Sequence, residues 1–199
     1  MEKLLIATKN KGKVKDFKGL FSRYGIEVYS LLDLEDEIPD VEETGSTFEE
    51  NAALKAETIA GLFQMPVLAD DSGLEVAALD GRPGIYSARY AGEEKSDQAN
   101  IEKVLQELQE VPDEQRTAQF VCVLALAQPG KDTMFKRGTC KGTIIRNPRG
   151  NNGFGYDPVF VPSGYEETMA QLQPEDKNKI SHRHHALVQL EAWLKERTK

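Results

Sequence analysis

Val67-Leu68-Ala69-Asp70-Asp71-Ser72-Gly73-Leu74 joins an apolar run directly to two adjacent carboxylates. Val67 to Ala69 is a short apolar run, the pattern of a strand buried on both faces, and Met65-Pro66 stops whatever helix precedes it. Asp70-Asp71-Ser72-Gly73 then predicts a turn at the strand's end. Two adjacent carboxylates repel unless a cation or a proton resolves the conflict. Strand alternation sends their side chains in different directions, so one holds structure while the other faces a ligand; the residues alone leave open which.

Toward the N-terminus, Ala52, Ala56, Ile59, Ala60 and Phe63 recur at helical spacing behind a capping box at Ser46-Thr47-Phe48-Glu49. Before them lie an acidic loop, a strand near residues 26–31, a helix with Val14, Phe17, Phe21 and Tyr24 on its apolar face, and a first strand at residues 3–8. Toward the C-terminus, a Gly-Pro turn at residues 81–84 leads to a helix capped by Ser96 with Ile101, Val104, Leu105 and Leu108 inward. Residues 120–126 and 134–145 flank Pro129-Gly130 as a long hairpin. A Gly-rich loop at residues 150–158 and an amphipathic helix on Ala186, Leu187, Leu190, Trp193 and Leu194 complete the chain. The hairpin reads as part of a mixed sheet.

Its 199 residues, 39% hydrophobic and 29% charged, suffice for one globular domain or one with two lobes. A net charge of −8 argues against a general nucleic-acid binder, whose footprint is a basic face. Cys122 and Cys140 form no CxxC pair and read as reduced thiols. The apolar residues 4–7 are followed at once by Lys9, Lys11, Lys13 and Lys15, unlike an export signal, and no run has the length of a membrane span. A cytoplasmic protein without membrane or nucleic-acid partners is expected.

Anionic ligands must then be held by local devices. Thr8-Lys9-Asn10-Lys11-Gly12-Lys13 opens a helix, where amides, the dipole and lysines suit phosphate. It is not a P-loop, which needs glycine at Ala7 and Ser or Thr at Val14. Asp70-Asp71 and Glu42-Glu43 are the hard-oxygen pairs from which a Mg²⁺ site in a phosphate enzyme is drawn. Phe154-Gly155-Tyr156-Asp157 sets aromatics beside glycine, which suits a stacked base, although a bulge with core aromatics has the same composition. Lys177, His182 and Arg183 are donors for a nucleotide; the His182-Arg183-His184-His185 run lacks zinc spacing. No Gly-x-Ser-x-Gly is present, so acyl transfer is unsupported.

Taken in order, residues 8–13, Glu42-Glu43-Thr44-Gly45 with residues 47–52, residues 68–74, residues 83–90, residues 153–158, Lys177-Asn178 and Ser181-His182-Arg183 resemble the inosine/xanthosine triphosphate pyrophosphatase family (ITPase, RdgB-like) over nearly the whole chain. The resemblance implies an α/β fold, with a long mixed central sheet and helices forming two lobes around a nucleotide cleft, a homodimer and Mg²⁺ dependence. It implies that Thr8, Asn10 and Lys13, within the segment that also holds Lys9, Lys11 and Gly12, contact the triphosphate with help from Lys55. It assigns Glu42 and Asp71 to the metal, makes Asp71 the general base, and sets Ser72 against substrate. Phe154, Gly155, Tyr156, Asp157, Lys177, His182 and Arg183 then line the base and sugar pocket. Lys9 and His184-His185 depart from the small or varied residues usual there.

The expected reaction is attack of water on the α-phosphorus of a non-standard purine nucleoside triphosphate (ITP, dITP or XTP), releasing the monophosphate and pyrophosphate. A donor facing the 6-oxo group discriminates against adenine, and guanine has to be rejected through its 2-amino group. A pyrophosphatase of broader base selectivity and a nucleotide-binding regulatory module without turnover share these residues; sensing alone does not demand Asp71 with Glu42.

Overall fold

The computed structural model describes residues 1–34, 38 and 41–197; residues 35–37 and 39–40 of the expected acidic loop lie outside them. In chain order the elements are β1 (Lys3–Ile6), α1 (Lys11–Ser22), β2 (Glu27–Ser30), α2 (Phe48–Phe63), β3 (Val67–Val76), α3 (Asp97–Glu107), β4 (Thr117–Ala127), β5 (Met134–Ile144), β6 (Phe160–Pro162), α4 (Pro174–Ile180) and α5 (His182–Arg197). The strands form a six-stranded sheet in the order β2-β1-β3-β4-β5-β6. β1 runs parallel to both β2 and β3, whereas β5 and β6 are antiparallel, so the sheet is mixed as the sequence predicts.

Two compact units share this sheet by residue membership: residues 1–71, 123–137 and 186–199 in the first, residues 72–122 and 138–185 in the second. In the first unit, Val14, Phe17, Leu20 and Phe21 recur every three or four residues on α1 and are buried. α1 packs this stripe on the β2 side of the sheet. Tyr24 lies past the helix end and its hydroxyl meets Glu191 on α5. α2 buries Phe48, Asn51, Ala52, Ala56, Ile59 and Ala60.

The capping box is shifted by one residue from its expected place. Thr47 is the cap, accepting from the Glu50 amide, and the Glu50 carboxylate reaches back to the Ser46 amide and hydroxyl. Glu50 rather than Glu49 satisfies the entering chain, because three residues separate a cap from its partner amide.

The expected turn at residues 70–73 is absent: β3 continues straight through them to Val76. Leu74 and Val76 are fully buried and extend the apolar run, while Asp70 and Asp71 find cations, so the chain has no electrostatic reason to leave the sheet. The turn comes later, through a 3₁₀ segment at Ala77–Leu79 and left-handed backbone at Asp80 and Gly81.

The second unit has one apolar core, to which β3 gives Leu74 and Val76, α3 gives Ile101 and Val104, β4 gives Phe120, and the 150s loop gives Tyr156 and Val159. Arg116 is 1% exposed within it and donates to the Ile144 and Leu108 carbonyls, so the charge is buried but hydrogen-bonded. Burial, then Arg146, lowers its pKa, with Asp113 opposing. Among the described residues no helix is long and apolar enough to cross a membrane.

Candidate active site

In the first unit, the site begins where β1 hands over to α1. Asn10 caps the helix, its side-chain oxygen accepting from the Gly12 amide at 2.9 Å and the Lys13 amide at 3.1 Å. Thr8 in turn accepts from the Asn10 amide at 3.2 Å. Two of the first-turn amides that the sequence offers to phosphate are thus already occupied, a consequence of placing Asn at the cap. What the turn presents outward is Lys9, Asn10, Lys11 and Gly12, all exposed.

Lys13 points the other way. Its Nζ lies 2.6 Å from Oδ2 of Asp70, a carboxylate whose side chain is 3% exposed. Lys55, one turn past Asn51 on α2, makes a second bridge: Nζ is 2.9 Å from Oε1 of Glu43 and 3.7 Å from Oδ1 of Asp71. Burial works to lower the Lys55 pKa, but the carboxylates of Asp71, Asp70 and Glu43 outweigh it and hold the ammonium above its ordinary value. Carboxylates and ammonium groups therefore alternate here, and both members of the Asp70-Asp71 pair are compensated.

The acidic loop is clamped onto α2. The fully buried Asn51 accepts from the Gly45 amide at 2.8 Å, and a Cβ on Gly45 would come within 2.7 Å of that same oxygen. This clamp presents Glu43 to Lys55, while Glu42 is exposed and makes no hydrogen bond or ion pair among the described residues.

In the second unit, Ser72 follows Asp71 directly on β3 and is half-buried. The 150s loop is held by its glycines: Gly153 has φ +82 and Gly155 φ +58. The Asp157 carboxylate, 5% exposed as a residue, accepts from the Phe154 amide at 2.9 Å and pairs with Lys177. A Cβ on Gly153 would overlap that carboxylate and sit 2.6 Å from Lys177 Nζ. Asp97, in the first turn of α3, accepts from the Gly155 amide at 2.7 Å. Tyr156 is buried and donates to the Ser87 carbonyl at 2.8 Å, its pKa raised by burial. Phe154 is left 63% exposed, with Lys177 Nζ 5.3 Å from its ring centre. The two aromatics divide the roles the sequence left open: Tyr156 belongs to the core and Phe154 to the surface.

Ser181 ends α4 and starts α5, accepting from the His184 amide at 3.2 Å. His182 stacks on Phe120, ring centres 5.1 Å apart and planes 22° from parallel. Arg183 is half-buried, and its Nε is a buried donor without a hydrogen-bond partner among the described residues. Such a donor is costly unless an acceptor reaches it. His185 Nδ1 lies 2.6 Å from the Thr139 carbonyl, so that nitrogen carries the proton. Among the described residues no three His, Cys, Asp or Glu side chains gather closely enough to hold a metal ion by themselves.

Sequence reading missed four contributors. Asp70 as the partner of Lys13, Asp97 as a tie on the 150s loop and Ser87 as the acceptor for Tyr156 act across 57, 58 and 69 residues, whereas Asn51 clamps the loop at Gly45, 6 residues away. Only Asn51 carried a signal, an amide in the first turn of a capped helix.

The sequence pattern of the Ham1 family matches residues 4–193. A dITP/XTP pyrophosphatase of Oceanobacillus iheyensis is 62% identical over 194 residues, covering 98% of each chain. One from Halalkalibacterium halodurans is 59% identical over 194 residues, covering 98% of this chain and 100% of its own. The solved structure of the Staphylococcus aureus Ham1 protein superimposes with a TM-score of 0.92 at 50% identity, over 98% of this chain and 99% of that one. A match that runs through every element from β1 to α5, at identities of this size, makes the chain a member of the Ham1 family.

Proposed function

We propose that this chain is a dITP/XTP pyrophosphatase: it hydrolyses dITP, XTP and ITP to the nucleoside monophosphate and pyrophosphate. The observation that carries the reading is the alternation of buried carboxylates with lysines at Asp70, Asp71, Lys13 and Lys55, in a chain whose relatives bear that name.

Asp71 acts as the general base. It takes a proton from water as the oxygen attacks the α-phosphorus, and the bond from that phosphorus to the bridging oxygen breaks, so the electron pair leaves with pyrophosphate. The lysines neutralise the leaving group, and the exposed residues of the α1 turn, with Thr8, bind the phosphates. Asp71 and Glu42 would hold Mg²⁺, which when bound supplies Lewis-acid stabilisation of phosphate charge. The donor set fits that ion. Mg²⁺ sites in phosphate enzymes use one or two carboxylates and complete themselves with substrate and water, and here Glu43 is committed to Lys55 while Glu42 is not.

For the base, Phe154 offers an exposed stacking face and Arg183 a buried donor in want of an acceptor. A 6-oxo purine supplies that acceptor; adenine sets its amino group against the donor. Lys177, His182, Tyr156 and Asp157 shape the surroundings, with Ser72 against the substrate. The proposal extends, on the resemblance, to a homodimer acting in the cytoplasm; a monomer's mass in light scattering would remove the first part.

The test is Asp71→Asn. Turnover of dITP should fall at least about a thousandfold with the melting temperature kept within a few degrees. Near-normal turnover would remove Asp71 from its role and with it this mechanism.

A further inference from the structure

Asp70 and Asp71 are neighbours on one strand, yet their surroundings differ. Asp70 is the more deeply enclosed, with its side chain 3% exposed, and its Oδ2 lies at full hydrogen-bond distance, 2.6 Å, from the Lys13 ammonium. The Lys55 ammonium lies 3.7 Å from Oδ1 of Asp71, beyond hydrogen-bond distance at that atom. Lys13 is held at both ends: its amide donates to the Asn10 cap and its ammonium to Asp70. An ammonium has three N–H donors. One is spent on Asp70, which leaves two for anionic oxygens on the side of the group that is not enclosed; the Lys13 side chain remains 21% exposed.

We infer that Asp70 is a positioning residue, which fixes the Lys13 ammonium for the phosphates of the substrate, and that it is not a ligand of the metal. A lysine on a flexible four-carbon stem ordinarily loses rotamer freedom when it binds an anion. Lys13 has lost that freedom beforehand, because the buried carboxylate defines where the ammonium sits. The inference rests on the proposed reading of Lys13 as a phosphate contact. It gives the doubled carboxylate of β3 a division of labour, one member for an ammonium and the other for water and metal.

The test is a double-mutant cycle on the full chain with Asp70→Asn, Lys13→Met and the two combined. Pyrophosphate affinity is read by calorimetry in the presence of Mg²⁺, alongside KM and kcat for dITP and the Mg²⁺ concentration at half-maximal rate. Asp70→Asn should weaken pyrophosphate binding and raise KM by about tenfold, with kcat changed less than about threefold and the Mg²⁺ requirement less than about twofold. On the Lys13→Met background the same substitution should change neither affinity by more than about twofold. That last comparison does not involve the Asp70→Asn single variant, so it stands even where that variant alone does not fold.

Three results would overturn the inference: a second loss of about tenfold on the Lys13→Met background, a rise of about tenfold in the Mg²⁺ needed by Asp70→Asn, or no pyrophosphate binding by the unaltered chain. Failure of the unaltered chain to turn over any nucleotide sinks the proposed function instead, and the pyrophosphate arm still decides the role of Asp70.

Discussion

Gly153→Ala is the substitution whose cost can be worked most fully from the structure. Gly153 sits at φ +82, a backbone conformation that costs an L-residue about 1–2 kcal/mol. The added methyl also overlaps the Asp157 carboxylate and lies 2.6 Å from Lys177 Nζ, so the buried ion pair must open. Loss of one hydrogen bond to a charged group adds about 1.5–3 kcal/mol. The sum, about 2.5–5 kcal/mol, corresponds to a fall in melting temperature of about 10 °C for a chain of this size. Because the same carboxylate holds the Phe154 amide, the stacking face moves as well, and KM for dITP should rise by about tenfold or more while kcat changes less. Urea unfolding and steady-state kinetics read the two effects separately. A stability loss under about 1 kcal/mol together with an unchanged KM would refute both the steric reasoning and the role given to this loop.

Three further predictions use other parts of the molecule. Lys55 has its folded-state pKa raised above 10.5, so its contribution to stability is complete below that value and is lost only as pH climbs through the raised value; the unfolding free-energy difference between the unaltered chain and Lys55→Met should stay flat from neutral pH to about 10.5 and shrink above it. Shrinkage on the acidic side of neutrality is expected only where the partner carboxylates become protonated, and a difference that grows above 10.5 would contradict the assignment. Asp97→Ala should raise KM for dITP by about three- to tenfold with kcat little changed, and Asp97→Asn, which keeps an acceptor for the Gly155 amide, should recover most of the loss. Cys122 is fully buried, and the Cys140 thiol is pushed up to about 11 by burial and then by Asp157, so neither should react with a disulfide reagent at neutral pH until the chain is unfolded; fast labelling of the native protein would contradict this.

Local signals account for what could be read from the residues alone. Asn10, Thr47 and Ser96 start helices because a short polar side chain satisfies a nearby amide, an event complete within three residues. The mixed sheet follows from apolar runs whose lengths suit strands. Asp70 to Gly73 misled because every one of those residue types favours a turn, and the influence that keeps them in the sheet comes partly from Lys13, 57 residues away. The choice between Glu42 and Glu43 as the partner of Lys55 is likewise made by the Asn51 clamp, which no pattern in the acidic pair announces. The tie from Asp97 to Gly155 spans 58 residues and was invisible for the same reason. Exposure was equally out of reach: Phe154 and Tyr156 flank one glycine, yet one is solvent-facing and the other is core.

Base selectivity and the site of attack are both read from release of monophosphate and pyrophosphate from dITP, XTP, ITP, GTP and ATP, each in Mg²⁺ and in EDTA. Rapid, metal-dependent formation of both products is expected from the first three, with little from GTP or ATP. Equal rates on all five would leave the chemistry at Asp71 standing and contradict the base selectivity, and release of orthophosphate in place of pyrophosphate would contradict the site of attack.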